Sequence, residues 1–385
     1  MRSGLPLQNQ ASRFAAARQC EMGCFDYVVI PTVKSMAEIQ DLVRGMPVDV
    51  AQINRSLKAL WEREWNVLTR ASLINFAVYS EAPDALSANT QLMEQVTREH
   101  ACRIILLAAN PVASKQRVQA WISAHCHLIG ASARQVCSEQ IAFLLDGSSP
   151  ALLRNILFTH LDSDLPLYLW WQGEFSNQID QQLWSWVDRF FFDSHSWREP
   201  AQQIKILRGS VASAGSRCVL CDLNWRRLIY LRLAFAQLFD HPWAAQQIHA
   251  IRGLEVIYHP EYWTTAVLFV SWVACQLGWE LDEKGDFGYR FKSSNADGPI
   301  SVRLTALPGP WIGQIKLGFD QGNLGVKWSG NFLETTLQGE SELKQMLPAG
   351  GTTLASLVQE ELARGGEHRT YLGALKIAED LWRSE

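Results

Sequence analysis

Two short, nearly unbroken apolar runs flank one amphipathic stretch, and this arrangement restricts the fold more than any other feature of the chain. The runs "ASLINFAVYS" (71–80) and "CRIILLAA" (102–109) are rich in apolar and β-branched residues, and "PDALSANTQLMEQVTREH" (83–100) between them has the spacing of an amphipathic helix. A strand that is apolar on both faces must be covered on both faces. Strands of that kind that alternate with helices imply a largely parallel sheet with helices packed on it.

The pattern continues along the first half. "RVQAWISAHCHLI" (117–129) alternates strictly, so it predicts a half-exposed strand, paired with "QVCSEQIAFLL" (135–145) as an antiparallel addition at one edge of the sheet. A helix is expected over 149–161, a strand at "LPLYLWW", a helix over 178–189 and a strand at "FFFDS" (190–194). Upstream, Ile53, Leu57, Leu60 and Trp61 predict a helix that starts near Asp49. Residues 198–217 thin out and read as a linker. Beyond it come a helix from Asn224 to about Phe239, a strand at "GLEVIYH" (253–259) and a long helix over 260–278. From 279 to 340 short segments with Gly and Asn turns predict an antiparallel meander, and helices close the chain at about 352–363 and 370–383. The expected fold class is α/β: an N-terminal mostly parallel sheet flanked by helices, followed by a C-terminal α+β domain with an antiparallel meander. The expected domains are 49–200 and 217–385, after a poorly patterned extension over 1–48 whose one strand candidate is "DYVVIP" (26–31).

A chain of 385 residues with 48% hydrophobic and 19% charged residues can bury a large core in two domains. Its net charge of −4, from 35 basic and 39 acidic residues, argues against a nucleic-acid or membrane-surface binder acting through bulk charge. The uncharged stretch from Tyr262 to Gly278 is diluted by Thr264, Thr265, Ser271 and Gln276, and reads as a buried helix rather than a membrane span. The first 20 residues have no apolar core of a secretory signal, so a cytoplasmic location is expected. The eight Cys are scattered, which favours reduced, mostly buried thiols. Trp is unusually abundant: its 16 copies equal the Phe count and double the Tyr count. Core packing is the stronger reading of that excess and a partner interface the second.

The chain has no Walker A motif, no G-x-G-x-x-G after a strand, no H-E-x-x-H and no G-x-S-x-G. No cofactor and no catalytic residue is therefore assigned. Cys218 and Cys221 form a C-x-x-C; on a strand they lie roughly 10 Å apart and cannot bridge, and they could do so only if the motif opens a helix, as in redox motifs. Cys20 and Cys24 are the better candidates for a redox pair. His125 and His127 share one strand face without an identifiable third ligand, so no metal is assigned. Ligands of parallel sheets bind at the carboxyl ends of strands. Here those ends are Trp171-Gln-Gly-Glu174 and Asp193-Ser-His-Ser-Trp197. An enzyme would use Asp193 and His195 as acid or base, whereas aromatics beside an acid also suit a sugar or a protein partner. Trp170 and Trp171 are adjacent on a strand, so they face opposite sides of the sheet.

Six segments together resemble one family: "TRASLINFAVYS", "HACRIILLAANP", "VCSEQI", "LDSDLPLYLWWQGEF", "DRFFFDSHSW" and "CDLNWRRLIYLRLAFAQLFD". In order and spacing they are similar to the glucose-6-phosphate dehydrogenase assembly protein family, OpcA, over about residues 50–280. The resemblance implies a bacterial, cytosolic, non-enzymatic protein. It would bind glucose-6-phosphate dehydrogenase and promote its active oligomeric form, acting as an allosteric activator in the oxidative pentose phosphate pathway. In cyanobacterial members the effect is linked to thiol redox state, and the cysteines responsible have no matched positions here. On this reading the partner-binding candidates are Trp171, Asp193, Trp197, Trp225, Arg226, Arg227 and Arg232. The bland alternative for "DLNWRRL" is a solvated helix face over a core Trp225. The alternative function is a sugar-phosphate-binding sensor or enzyme that uses the loops after 171 and 193.

Overall fold

A computed structural model describes residues 44–62, 68–128, 135–147, 152–176, 179–214, 218–285, 288–339, 342–366 and 368–383. Cys20, Cys24 and the 26–31 strand candidate lie outside the described residues. The first half contains β1 (Met46–Val48), α1 (Ile53–Glu62), β2 (Leu68–Arg70), β3 (Asn75–Ser80), α2 (Ala85–Val96), β4 (Arg103–Asn110), β5 (Arg117–Leu128), β6 (Gln135–Asp146), α3 (Leu153–His160), β7 (Leu167–Gln172), α4 (Gln181–Trp184), β8 (Val187–Phe192), α5 (Pro200–Ala214) and β9 (Val219–Asp222). They build one sheet in the order β1-β5-β6-β4-β3-β7-β8-β9, with β2 paired to β6. All pairings from β6 to β9 along that path are parallel, while β5 and β1 run antiparallel at one edge.

The double-sided apolar strands form the middle of this sheet. Phe76, Val78, Ile104, Leu106, Trp170 and Phe191 face one side, where α2 covers them with Leu86, Met93 and Val96. Ala77, Tyr79, Ile105, Leu107, Trp171, Phe190 and Phe192 face the other, beneath Leu57 of α1, Leu157 of α3 and Ile204 and Leu207 of α5. Trp170 and Trp171 thus serve opposite layers, as strand geometry requires.

The stretch read as a linker is the helix α5. Its signal is weak because its buried side carries polar residues: Gln203 and Ser210 are both buried, and they accept hydrogen bonds from the backbone N–H groups of Phe175 (2.6 Å) and Ile179 (3.4 Å). The first sheet also continues past the expected boundary, since β9 is its edge strand.

The second half contains α6 (Leu223–Arg227), α7 (Ile229–Gln237), α8 (Pro242–Gln246), β10 (Ile251–Tyr258), α9 (Trp263–Leu277), β11 (Glu280–Gly285), β12 (Gly288–Lys292), β13 (Ile300–Ala306), β14 (Ile312–Phe319), β15 (Asn323–Ser329), β16 (Phe332–Gln338), β17 (Glu342–Pro348), α10 (Leu354–Ala363) and α11 (Arg369–Trp382). Eight strands form a second sheet in the order β11-β12-β13-β10-β14-β15-β16-β17. Only the β10–β13 pairing is parallel. One face is apolar. The other is polar and carries ion pairs such as Arg303–Glu255 and Lys344–Glu334. The helix α9 packs against this sheet and α11, and every residue from Thr264 to Ala274 is buried. That burial explains its all-round apolar sequence. Gly278 ends the helix in the left-handed region at φ 65°, which a side chain would resist. Among the described residues no helix is long and apolar enough to cross a membrane.

The chain then returns to where it began. Leu357 and Val358 of α10 complete the first sheet's α2-covered layer. Among the described residues ten Trp are buried, so most of the Trp excess is core packing. The expectation of reduced thiols is corrected at one place, because Cys126 and Cys137 form a disulfide across β5 and β6. The hairpin register sets them directly opposite each other, with Cα atoms 4.0 Å apart. Cys102, Cys221 and Cys275 form no disulfide among the described residues.

Candidate functional site

The segments that single this chain out converge at the carboxyl ends of β7, β8 and β9. After β7 the chain turns at Gly173, whose φ of 87° favours glycine. Glu174 then accepts hydrogen bonds from the backbone N–H of Arg198 (2.6 Å) and Glu199 (3.3 Å), just before α5. A carboxylate there satisfies groups at a helix start that would otherwise lack partners. Phe175 turns inward and packs on Trp171, Phe190 and Trp197, with centroids 5.9, 5.8 and 5.6 Å away. Trp197 stacks on Phe192 at 5.2 Å and 6°. The two tryptophans flagged from the sequence, Trp171 and Trp197, are therefore core residues, 2% and 3% exposed.

Beside this aromatic core lies a buried polar network centred on Asp222. Its Oδ1 accepts hydrogen bonds from the backbone N–H of Ser194 (3.1 Å) and Asn224 (2.9 Å). Its Oδ2 accepts from the Ser194 hydroxyl (2.7 Å) and the Tyr371 hydroxyl (3.1 Å). Asn224 accepts from Thr265 at 2.7 Å and from Arg227 at 3.2 Å, and Arg227 grips Asp193 at 2.8 and 3.2 Å. The network joins the turn after β8, β9, α6, α9 and α11, so it ties the first sheet to helices of the second half. Burial, and then the charge of Asp193, push the Asp222 carboxyl up to about 7.

Asp193 and His195 do not form an acid–base couple. Asp193 is committed to Arg227, and the His195 ring stacks on Tyr262 at 4.1 Å and 15°. Burial lowers the His195 pKa, which keeps the ring neutral at pH 7. Of the other flagged residues, Arg226 pairs with Glu360 at 2.6 Å. Trp225 is 3% exposed, and the Arg232 guanidinium lies 3.5 Å over its ring. Arg232 donates to the Trp225 carbonyl at 3.3 Å, and burial followed by the charges of Arg364 and Arg226 lowers its pKa. It makes no ion pair among the described residues.

Cys221, Glu361 and His368 are all buried, and their potential ligand atoms lie within 4.8 Å of one another. Their charge is already balanced from within the protein. Arg189 donates to Cys221 Sγ at 3.3 Å and to Glu361 Oε1 at 2.7 Å, and Glu361 also meets His368 Nε2 at 2.6 Å. A metal cation would have to displace that guanidinium. His125 and His127 each face a neutral partner, Gln140 (2.9 Å) and Thr97 (3.0 Å).

Above the Asp222 network sits a half-buried aromatic rim that the sequence did not reveal. Tyr262 lies 6.1 Å from His259 and 6.5 Å from Trp311, and Trp311 lies 5.2 Å from Trp328. These residues come from α9's approach and from the ends of β10, β14 and β15, so only the second sheet's topology assembles them. Trp311 Nε1 and His195 Nδ1 have no hydrogen-bond partner among the described residues.

Comparison with known proteins agrees with the motif pattern. A family model described as the glucose-6-phosphate dehydrogenase subunit N-terminal domain matches residues 93–209, and its C-terminal counterpart matches 218–375. A Nostoc punctiforme protein, provisionally named an OxPP cycle protein OpcA, is 28% identical over 211 residues, 52% of this chain and 44% of that one. Its namesake in Synechococcus elongatus is 23% identical over 227 residues, 56% of this chain and 50% of that one. The chain thus spans about half the length of the curated relatives it matches. Among solved structures, an oxidoreductase from Sinorhizobium meliloti aligns over 81% of this chain and 89% of its own, at 12% identity and a TM-score of 0.43. A levoglucosan dehydrogenase with NADH aligns over 81% and 96%, at 11% identity and 0.44. Likeness at that level carries no argument about activity. The two consecutive family matches cover most of the chain, and the motifs they contain are those that build the Asp222 junction: this chain belongs to the OpcA family of glucose-6-phosphate dehydrogenase assembly proteins.

Proposed function

We propose that this chain is a non-catalytic, cytoplasmic partner of glucose-6-phosphate dehydrogenase that binds the enzyme and favours its active oligomeric form. The observation that carries the reading is the pair of family matches, end to end over 93–209 and 218–375, each described as part of a glucose-6-phosphate dehydrogenase subunit. The carboxyl edge of the first sheet supports it. Asp193, Arg227, Ser194 and Asp222 are bound to one another there, as a structural junction requires.

The partner surface we assign is the rim of His195, Tyr262 and Trp311, with the Asp193–Arg227 pair beneath it. Half-buried aromatic side chains are suited to an interface, because they offer a large, rigid apolar area at low conformational cost. Trp171, Trp197 and Trp225 hold the rim from beneath rather than touching the partner. Activation then follows from tighter binding to the active enzyme than to the inactive one. By linkage, the dehydrogenase's substrate tightens the complex by the same factor.

The test is a pull-down and a kinetic assay with the dehydrogenase of the same organism. Micromolar chain is expected to form a complex and raise the rate at low substrate. Trp311→Ala and Tyr262→Ala should weaken the complex at least tenfold, the scale of a hot-spot residue, without lowering the melting temperature by more than a few degrees. No complex and no kinetic change with the native chain overturns the function. A native-like complex with both variants moves the surface elsewhere.

A further inference from the structure

A cleft of about 490 Å³ opens at the opposite, amino-terminal end of the first sheet, between α1 and the strands β2, β4 and β6. That volume lies within the range of small-molecule sites. Its lining is charged in an uneven way. Lys58, Arg70 and Arg103 contribute three cations, against the single carboxylate of Glu139. The register of β4 and β6 sets Arg103 and Glu139 side by side.

Glu139 is 1% exposed and is the hub of the site. It bonds Arg103, accepts from Arg70 at 2.9 Å, and accepts from the indole N–H of Trp61 at 3.2 Å. Arg103 is further fixed by the carbonyl of His160 at 2.7 Å. A buried carboxylate that orders two guanidiniums and an indole is a built floor, not a solvated surface pair. Among the described residues two cations remain in excess at the mouth. Arg70 is 44% exposed in its side chain and makes one hydrogen bond among the described residues, out of five N–H groups. Lys58 reaches only Glu62, at 3.8 Å, and both are well exposed, so that pair is weak. Trp61 and Leu57 supply an apolar wall.

We propose that this cleft binds a small phosphomonoester carried on a ring. Arg70 and Lys58 take the dianionic phosphate, whose charge matches the excess, and Trp61 packs against the ring. An arginine fork suits phosphate oxygens, and a fixed indole suits a sugar or a base. The same chemistry is offered by a sugar phosphate and by a nucleoside monophosphate. The site does not depend on the partner surface described above and lies at the other end of the strands.

Calorimetry and thermal shift on the full chain decide the matter, with glucose 6-phosphate and AMP as probes and with glucose, adenosine, inorganic phosphate and sulfate as controls. At least one ester should bind in the micromolar to millimolar range and raise the melting temperature through linkage, while glucose and adenosine do not. Whichever ester binds more tightly identifies the source of the phosphate. Lys58→Gln lies at an exposed position and should keep the native melting temperature, Arg70→Gln leaves Glu139 paired with Arg103 and should keep the native circular dichroism at a somewhat lower melting temperature, and together they should weaken the ester at least tenfold. Trp61→Leu should weaken the ester more than inorganic phosphate. The proposal is overturned if neither ester binds at millimolar concentration, if sulfate or phosphate alone binds as well as the esters, or if the Arg70→Gln, Lys58→Gln double variant binds like the native chain.

Discussion

At Asp222 an acidic group, 2% exposed, sits among backbone N–H groups and two hydroxyls. Burial holds its pKa at about 7, against 3.8 in the unfolded chain. Between those values the native state keeps a proton that the unfolded state has released, so this group's contribution falls as pH rises from about 4 to 7. Each unit of difference is worth about 1.4 kcal/mol. Asp222→Asn keeps the shape and places an N–H₂ donor against Ser194 and Tyr371. Urea unfolding should therefore find the variant's stability, relative to the native chain, rising by a few kcal/mol from pH 4.5 to 7.5. A pH-independent difference would contradict the assignment. The sequence made the adjacency of the loops after β7 and β8 legible, because strand order alone brings them together. It did not separate packing from binding. Trp171, Trp197 and Trp225 carry family motifs yet lie in the core, since neighbouring strands and helices cover them from both layers. Tyr262 and Trp311 were illegible, because they flank Pro-containing turns in segments that only the second sheet's pairing unites.

The double-sided strands were the most legible elements, since an apolar run with no polar face has one use. The helix α5 was not, because Gln203 and Ser210 face inward to meet backbone donors. The edge strand β17 was also missed. Glu342 and Lys344 make it look like a loop, and charge on an edge strand is how a sheet avoids pairing with another chain. The Cys126–Cys137 bridge became visible only with the β5–β6 register, which pairs residue 126 with 137 across twelve-residue strands. It closes a loop 11 residues apart in sequence. Chain-entropy arguments give such a loop about 3 kcal/mol. Reductant should therefore lower the native melting temperature by several degrees and leave a Cys126→Ser, Cys137→Ser double variant unmoved. An equal response of both proteins to reductant would place the effect elsewhere.

On the scale of the whole molecule, the chain's two halves are not stacked end to end. β9 belongs to the first sheet although it follows α5, and α10 packs beside α2 although more than 250 residues separate them. Arg189 on β8 fastens this return by bonding Glu361 at 2.7 Å and the carbonyl of Arg364 at 2.6 Å. The coupling has a measurable consequence. A chain ended before α10 removes Leu357 and Val358 from the layer that holds Phe76, Trp170 and Phe191, and should bind a hydrophobic dye more strongly and resist proteolysis far less than the full chain. Native-like resistance in that fragment would mean the halves fold independently.

The placement of α10 also has a meaning in time. A ribosome makes about 5–20 residues per second, so residue 363 follows residue 222 by roughly 7 to 28 s. For that interval the nascent first sheet has its strands but lacks part of the cover for one apolar layer, the part that Leu357 and Val358 supply. The chain must finish its second sheet before its first is sealed, which makes this protein a candidate client for chaperones at the tunnel exit and makes the order of its synthesis part of its fold.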